Sequence, residues 1–271
     1  MSWTTSLFRG VLGAAAGVLS VLTVLSGLVG QVQADDAPPI AVAANLQAAM
    51  EEIADAFTAE TGLEPRLTFG SSGNFAAQIR QGAPFELFFS ADERYVLDLA
   101  RDGFTRDEGL LYGSGRIVLI VPKGSPLKAD GSLDDLKAAI ADGRLTRFAI
   151  ANPEHAPYGQ AAQQALQHAG LWQPIQPKLV LGENVSQTAL FATSGNAQGG
   201  IVAYSLALSP KVMPVADHAL IAADWHAPLN QRMALLKDAG PTAERFYSFV
   251  QSPPARAIFR RYGYALPGEP D

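Results

Sequence analysis

The chain runs to 271 residues with 20 Lys plus Arg against 26 Asp plus Glu, a net charge of -6, 48% hydrophobic residues, 17% charged residues and no Cys. That balance excludes a disordered scaffold, and the missing Cys excludes a disulfide-stapled mini-fold, a Cys-based zinc site and a Cys nucleophile. A nucleic-acid binder needs a basic face to neutralise phosphates, and neither the net charge nor any cluster of Lys and Arg supplies one.

The first segment reads as an export signal. Met1 to Gly10 carries Arg9 as its only charge, Val11 to Gly30 is apolar, and Val32-Gln33-Ala34 precedes Asp35-Asp36. Residues 1–34 are expected to be a signal peptide cleaved after Ala34, which places the mature protein outside the cytoplasm. The apolar stretch is long for such a signal, so a retained membrane anchor is the alternative. No Cys follows it, which excludes a lipoprotein.

Beyond it, strands and helices alternate. Ile40 to Ala44 is a short apolar run ending at Asn45, after which Leu46, Met50, Ile53 and Phe57 recur at helical spacing up to Gly62. Arg66 to Phe69 predicts a second strand, Gly70-Ser71-Ser72-Gly73 a tight turn, Asn74 to Arg80 a helix and Phe85 to Phe89 a third strand. Parallel strands joined by helical crossovers fit that order. After a change in composition at Tyr112 to Gly115 comes the strongly apolar Ile117 to Val121. Helix 133–141, strand 147–150, helix 159–169, strand 178–181, helix 186–193 and strand 201–204 then follow. Val212 to Val215 and Ala234 to Leu236 read as further strands, and 243–251 and 255–262 as helices. The pattern is α/β, either as two lobes with crossings near 112–116 and 204–213 or as one doubly wound domain.

Ligands of open α/β sheets lie outside the carboxyl ends of strands, where helix N-termini point. Four junctions of that kind stand out: Ala44-Asn45, Gly70 to Gly73, Asn152 to Gly159, and Glu183 to Ser186. Each offers free backbone N–H groups at the positive end of a helix dipole, which suits a small anion. Singly, Asn45 and Ser72 are ordinary helix caps and the glycines ordinary turn residues. Enzyme signatures fail. Gly113-Ser114-Gly115 precedes a strand instead of following one, no phosphate-loop Lys follows Gly70 to Gly73, and no Gly-x-Ser-x-Gly elbow occurs. His155, His168, His218 and His226 lack metal-ligand spacing, and Glu154-His155 between two prolines reads as a turn before an acid/base pair.

Several blocks resemble a known family. Ala41 to Leu46, Thr68 to Gly73, Gln81 to Asp92, Asn152-Pro153-Glu154-His155-Ala156-Pro157-Tyr158-Gly159 and Phe259 to Tyr264 are similar, in order, to the periplasmic molybdate-binding proteins of ABC transporters. The resemblance implies a type II periplasmic binding fold: two α/β lobes, 35–114 plus 210–271 and 115–209, joined by a two-strand hinge and closing on one tetrahedral oxyanion. It also implies a monomeric, non-enzymatic protein that delivers molybdate, and with it tungstate, to a membrane permease without a cofactor or a free metal ion. Carried over by position, side-chain donors fall on Asn45 and Ser72 and backbone donors on Tyr158 and Val185. Ala44 stands where some relatives add a hydroxyl. Tyr204 stands one residue beyond a Tyr that some relatives use, which turns it to the other face of a strand and leaves it out of the set. The same fold tuned to sulfate or another oxyanion is the nearest alternative. The remote one is a secreted α/β hydrolase using Ser71 or Ser72 with a distant His.

Overall fold

In the computed structural model of this chain, described over residues 37–269, the strands form two five-stranded sheets. The expected signal peptide and its cleavage point after Ala34 lie outside the described residues.

The first sheet is ordered β2-β1-β3-β10-β4, from β1 (Pro39–Ala43), β2 (Arg66–Gly70), β3 (Leu87–Ser90), β4 (Leu110–Gly115) and β10 (Leu229–Leu235). β1 pairs in parallel with β2 and β3, and β10 runs antiparallel to β3 and β4. Both faces are covered by α1 (Gln47–Thr61), α2 (Ser72–Arg80), α3 (Glu93–Arg101), α9 (Pro241–Val250) and α10 (Pro253–Arg261). Side chains alternate across a strand, so Ile40 and Val42 join one buried cluster and Ala41 the opposite one, while Leu87 and Phe89 part from Phe88 in the same way. That is why these strands read as unbroken apolar runs. α1 ends at Gly62, whose φ of +72° provides the left-handed turn that returns its N–H to Thr58 O.

Phe57 at the end of α1 is 1% exposed and packs edge-to-face on Phe246 and Phe249 of α9, with ring centroids 5.1 and 5.4 Å away. Phe57→Ala is expected to destabilise the fold by about 3–5 kcal/mol in urea unfolding, whereas Leu190→Ala, at a side chain 60% exposed, should stay within about 0.5 kcal/mol.

The second sheet is ordered β7-β6-β8-β5-β9, from β5 (Ile117–Pro122), β6 (Phe148–Ala151), β7 (Leu179–Gly182), β8 (Gly200–Ala203) and β9 (Ala216–Leu220). α4 (Asp134–Ala141), α5 (Pro157–His168), α6 (Trp172–Ile175), α7 (Val185–Thr193) and α8 (Tyr204–Ala207) accompany it. The chain crosses between the sheets at Gly115-Arg116-Ile117 and again between β9 and β10, and Arg116 Nη2 donates to Ile221 O at 3.1 Å to tie the two crossings.

Three elements depart from the sequence reading. Val212 to Val215 is a turn, because Pro214 has no N–H for a ladder and Met213 is 56% exposed. The strand is the next segment, Ala216–Leu220, which pairs with β5 and holds the chain in the second sheet past residue 210, where the sequence reading returned it to the first lobe. As an edge strand with a polar outer side it carries no apolar signal. α3, to which the sequence reading gave no element, is a helix capped by Asp92, and β4, read only as a change in composition at Tyr112 to Gly115, is a strand paired to β10.

Candidate functional site

Beyond the carboxyl ends of β1, β2, β6 and β7 the chain enters a helical segment, directly or within two residues after β1, β2 and β7 and after the turn Asn152 to Ala156 following β6. Each of the four residues singled out from sequence lies at the start of such a segment. Asn45 is the second residue of the 3-10 turn Ala44–Leu46, Ser72 the first of α2, Tyr158 the second of α5 and Val185 the first of α7. N–H groups in a first helical turn have no acceptor within their own helix, and the helix dipole adds a positive potential there. All four residues line one small cavity between the sheets. Ala43, Ala44, Gly70, Ser71 and Ala91 complete its wall from the first lobe, and Ala156, Pro157 and Asn184 from the second. No Asp, Glu, Lys, Arg or His is among these lining residues.

Local bonds decide which donors remain available. Ser72 is fully buried and its Oγ accepts from Ala91 N at 2.9 Å, which anchors the oxygen and leaves its proton to be donated. Asn184 caps α7 by accepting from Ser186 N and Gln187 N, both at 3.0 Å, and so passes over Val185 N–H. Pro157 at the head of α5 brings no N–H, making Tyr158 the first donor of that helix. Gly159 allows the approach: a Cβ there would lie 2.2 Å from Ala151 O at the end of β6.

Asn45 is placed differently from the expectation of a side chain free to donate. Its Nδ2 donates to Gln231 Oε1 at 2.9 Å and to Tyr264 OH at 2.8 Å, while Oδ1 is buried without a partner. Around it lies a polar network drawn from both lobes: Gln231 Nε2 donates to Tyr158 OH at 2.9 Å, and Tyr112 OH lies 2.9 Å from Gln231 Oε1 and 3.0 Å from Ser90 O. Burial holds the Tyr158, Tyr112 and Tyr264 hydroxyls above the usual tyrosine range, so all three keep their protons at neutral pH. Gln231, Tyr112 and Tyr264 were not among the sequence-derived site residues. Tyr264 lay in a block of family resemblance without a role, and Gln231 gave no signal.

The lobes meet around the cavity through further bonds. Gly73 N–H donates to His155 O at 3.0 Å, Ser71 Oγ lies 2.9 Å from His155 Nδ1, and Ser186 Oγ donates to Ala44 O at 2.8 Å. His155 Nε2 lies 3.7 Å from Glu183 Oε2, which makes Ser71, His155 and Glu183 a line of the residue types used in hydrolases. Its geometry is that of a clasp. Ser71 Oγ is already the cap of α2, accepting from Asn74 N, the His–Glu separation exceeds a hydrogen bond, and the Glu183 side chain is 72% exposed. Tyr204 opens α8, stacks obliquely on His218 at 5.6 Å and does not line the cavity.

A family model described as bacterial extracellular solute-binding protein matches residues 39–265. The molybdate-binding protein ModA of Rhodobacter capsulatus is 36% identical over 255 residues, which covers 93% of this chain and 95% of that protein. Among solved structures, the periplasmic molybdate-binding protein of Azotobacter vinelandii aligns with a TM-score of 0.76 at 32% identity, over 85% of this chain and 99% of that one. The sulfate-binding protein SubI of Mycobacterium tuberculosis aligns with a TM-score of 0.71 at 13% identity, over 85% and 87% of the two chains, a likeness that speaks for the fold alone.

Proposed function

We propose, on the premise that this chain belongs to the family of bacterial extracellular solute-binding proteins and to its molybdate-binding members, that the interlobe cavity captures molybdate and that the protein delivers it to the membrane permease of an ABC transporter. The observation that carries the reading is the convergence of four helix starts from two lobes on one small cavity whose lining has no charged side chain. A buried dianion without a counter-charge is costly unless several oriented donors replace its water. One donor each from Asn45, Tyr158 and Val185 and two from Ser72, at roughly 1.5–3 kcal/mol apiece, give a gross of about 8–15 kcal/mol before closure and dehydration costs. Submicromolar binding lies within that range.

The protein binds and releases its anion unchanged, as a monomer and without a cofactor. Tungstate, a tetrahedral dianion like molybdate, enters the same site. Export follows cleavage after Ala34, so mature protein begins at Asp35; N-terminal sequencing that finds Ser2 on membrane-bound material would favour an anchor instead.

Titration calorimetry of the mature protein with four anions tests the reading. Molybdate and tungstate are expected to bind tightly and stoichiometrically. Sulfate, which is smaller, loses contact distance and should bind weakly. Hydrogen phosphate carries a proton that a wall of donors leaves unpaired, at a cost of about 1–3 kcal/mol, and should bind negligibly. Molybdate at 100 times its dissociation constant should stabilise the fold by about 2.7 kcal/mol. Sulfate binding as tightly as molybdate would transfer the site to the sulfate alternative, and burst release from an activated ester would support the hydrolase.

A further inference from the structure

Asn45 presents an inconsistency if its carboxamide serves an anion: both hydrogens of Nδ2 are spent on Gln231 Oε1 and Tyr264 OH, and the atom left over is the acceptor Oδ1, 1% exposed as a residue and without a partner. An acceptor left over beside an anion repels it. The surrounding bonds contain a second arrangement that removes the conflict by exchanging only the nitrogen and oxygen positions of two carboxamides.

Rotating the Gln231 carboxamide by half a turn puts Nε2 where Oε1 stands, 2.9 Å from Asn45 and 2.9 Å from Tyr112 OH. Tyr112 then accepts from Gln231 and gives its single proton to Ser90 O, 3.0 Å away, whereas in the first arrangement that proton has two acceptors to serve. Gln231 Oε1 meanwhile faces Tyr158 OH at 2.9 Å and accepts from a hydroxyl that was held as an acceptor. Asn45 must rotate with its partner: its Oδ1 now accepts from Gln231 Nε2 and from Tyr264 OH, 2.8 Å away, whose one proton turns to it from Asn45 O at 3.0 Å. That carbonyl keeps Ser205 Oγ as a donor at 2.8 Å, and the Asn45 NH2 group is released as a donor.

We propose that Gln231 is a positioning residue for oxyanion capture, and that it and Asn45 invert their carboxamides together, turning Asn45 from an acceptor into a donor toward the bound anion. The inference rests on the proposed function and deepens it. Tyr158 belongs to the second lobe and Gln231 to the first, so lobe closure delivers the hydroxyl whose proton favours the inverted state, and the anion selects that state from the other side. The contact runs against the hinge backbone. A Cβ on Gly115 would lie 2.1 Å from Tyr158 OH and 2.5 Å from Gln231 Nε2, so this glycine leaves the space in which the two side chains meet.

A double-mutant cycle read by molybdate calorimetry, with melting of each ligand-free variant, tests this. Gln231→Met keeps the length of the side chain without its polar end and is expected to weaken binding about tenfold. In an Asn45→Ala background the same change should cost less than about twofold, because nothing is left to orient. Gln231→Glu can only accept, holds Asn45 Nδ2 turned inward, and should cost more than Gln231→Met. An equal loss from Gln231→Met in both backgrounds, the signature of a purely structural role, overturns the proposal, as does Gln231→Glu binding like the wild type. Should these variants fail to fold, nitrogen-15 spectra of the wild type decide: the Asn45 NH2 resonances should shift on saturation with molybdate, and unshifted resonances overturn the proposal. Wild-type protein that does not bind molybdate overturns the functional reading and this inference with it; binding by the wild type with either negative result overturns the inference alone.

Discussion

Val185→Pro is expected to weaken molybdate binding by roughly 10- to 150-fold, the equivalent of one lost hydrogen bond to a charged acceptor, while leaving the fold intact. The position makes the substitution unusually clean. Val185 is the first residue of α7, where a proline is tolerated because the N–H it removes has no intrahelical partner. Asn184 before it is already extended, with φ -153° and ψ 174°, as the residue preceding a proline must be. The capping bonds from Ser186 and Gln187 to Asn184 Oδ1 do not involve the altered nitrogen. Val185→Ala serves as the control: it trims a buried side chain but keeps the amide, and should retain most of the affinity. Calorimetry on both variants, with melting curves of the ligand-free proteins, checks the expectation. If the two lose affinity alike, the anion is not held by this N–H.

Gly73→Ala should reduce affinity by about tenfold or more through lobe closure, with no loss of stability in the ligand-free protein. Gly73 is the second residue of α2, and alanine is the better helix former by about 1 kcal/mol, so the first lobe by itself gains. The cost falls on the other lobe. An added Cβ would lie 2.6 Å from His155 O and 3.0 Å from His155 Cα, backbone atoms of the second lobe, besides 3.0 Å from the Tyr95 hydroxyl of α3 in its own lobe, a side-chain end that can swing aside. Relieving that overlap draws the lobes apart and gives up the Gly73–His155 bond and the Ser71–His155 contact beside the cavity. Small-angle scattering should show the wild type becoming more compact on adding molybdate and the variant doing so less. Wild-type affinity together with wild-type compaction in Gly73→Ala would mean that this clasp plays no part in capture.

The four strand-end junctions were legible in the sequence because a helix start is a local matter, while the choice of Asn45, Ser72, Tyr158 and Val185 within them came from the family resemblance. Whether an N–H is free depends on its place within the first helical turn, and Asn184, Pro157 and Ser71 write that place into the chain within a few residues of Val185, Tyr158 and Ser72. The buried strands were legible for a similar reason: with both faces covered, β1, β3 and β5 are apolar at successive positions. Ala216–Leu220 escaped because an edge strand with one polar side resembles a loop in composition, and its pairing with Ile117–Pro122 comes from almost a hundred residues away. Asn45 shows the division most sharply. Its backbone at the end of β1 was predictable, but which way its carboxamide points is settled by Gln231 and Tyr264, 186 and 219 residues further along the chain. An amide that can donate or accept takes its direction from whatever group the fold brings opposite it, and only the tertiary structure determines that group.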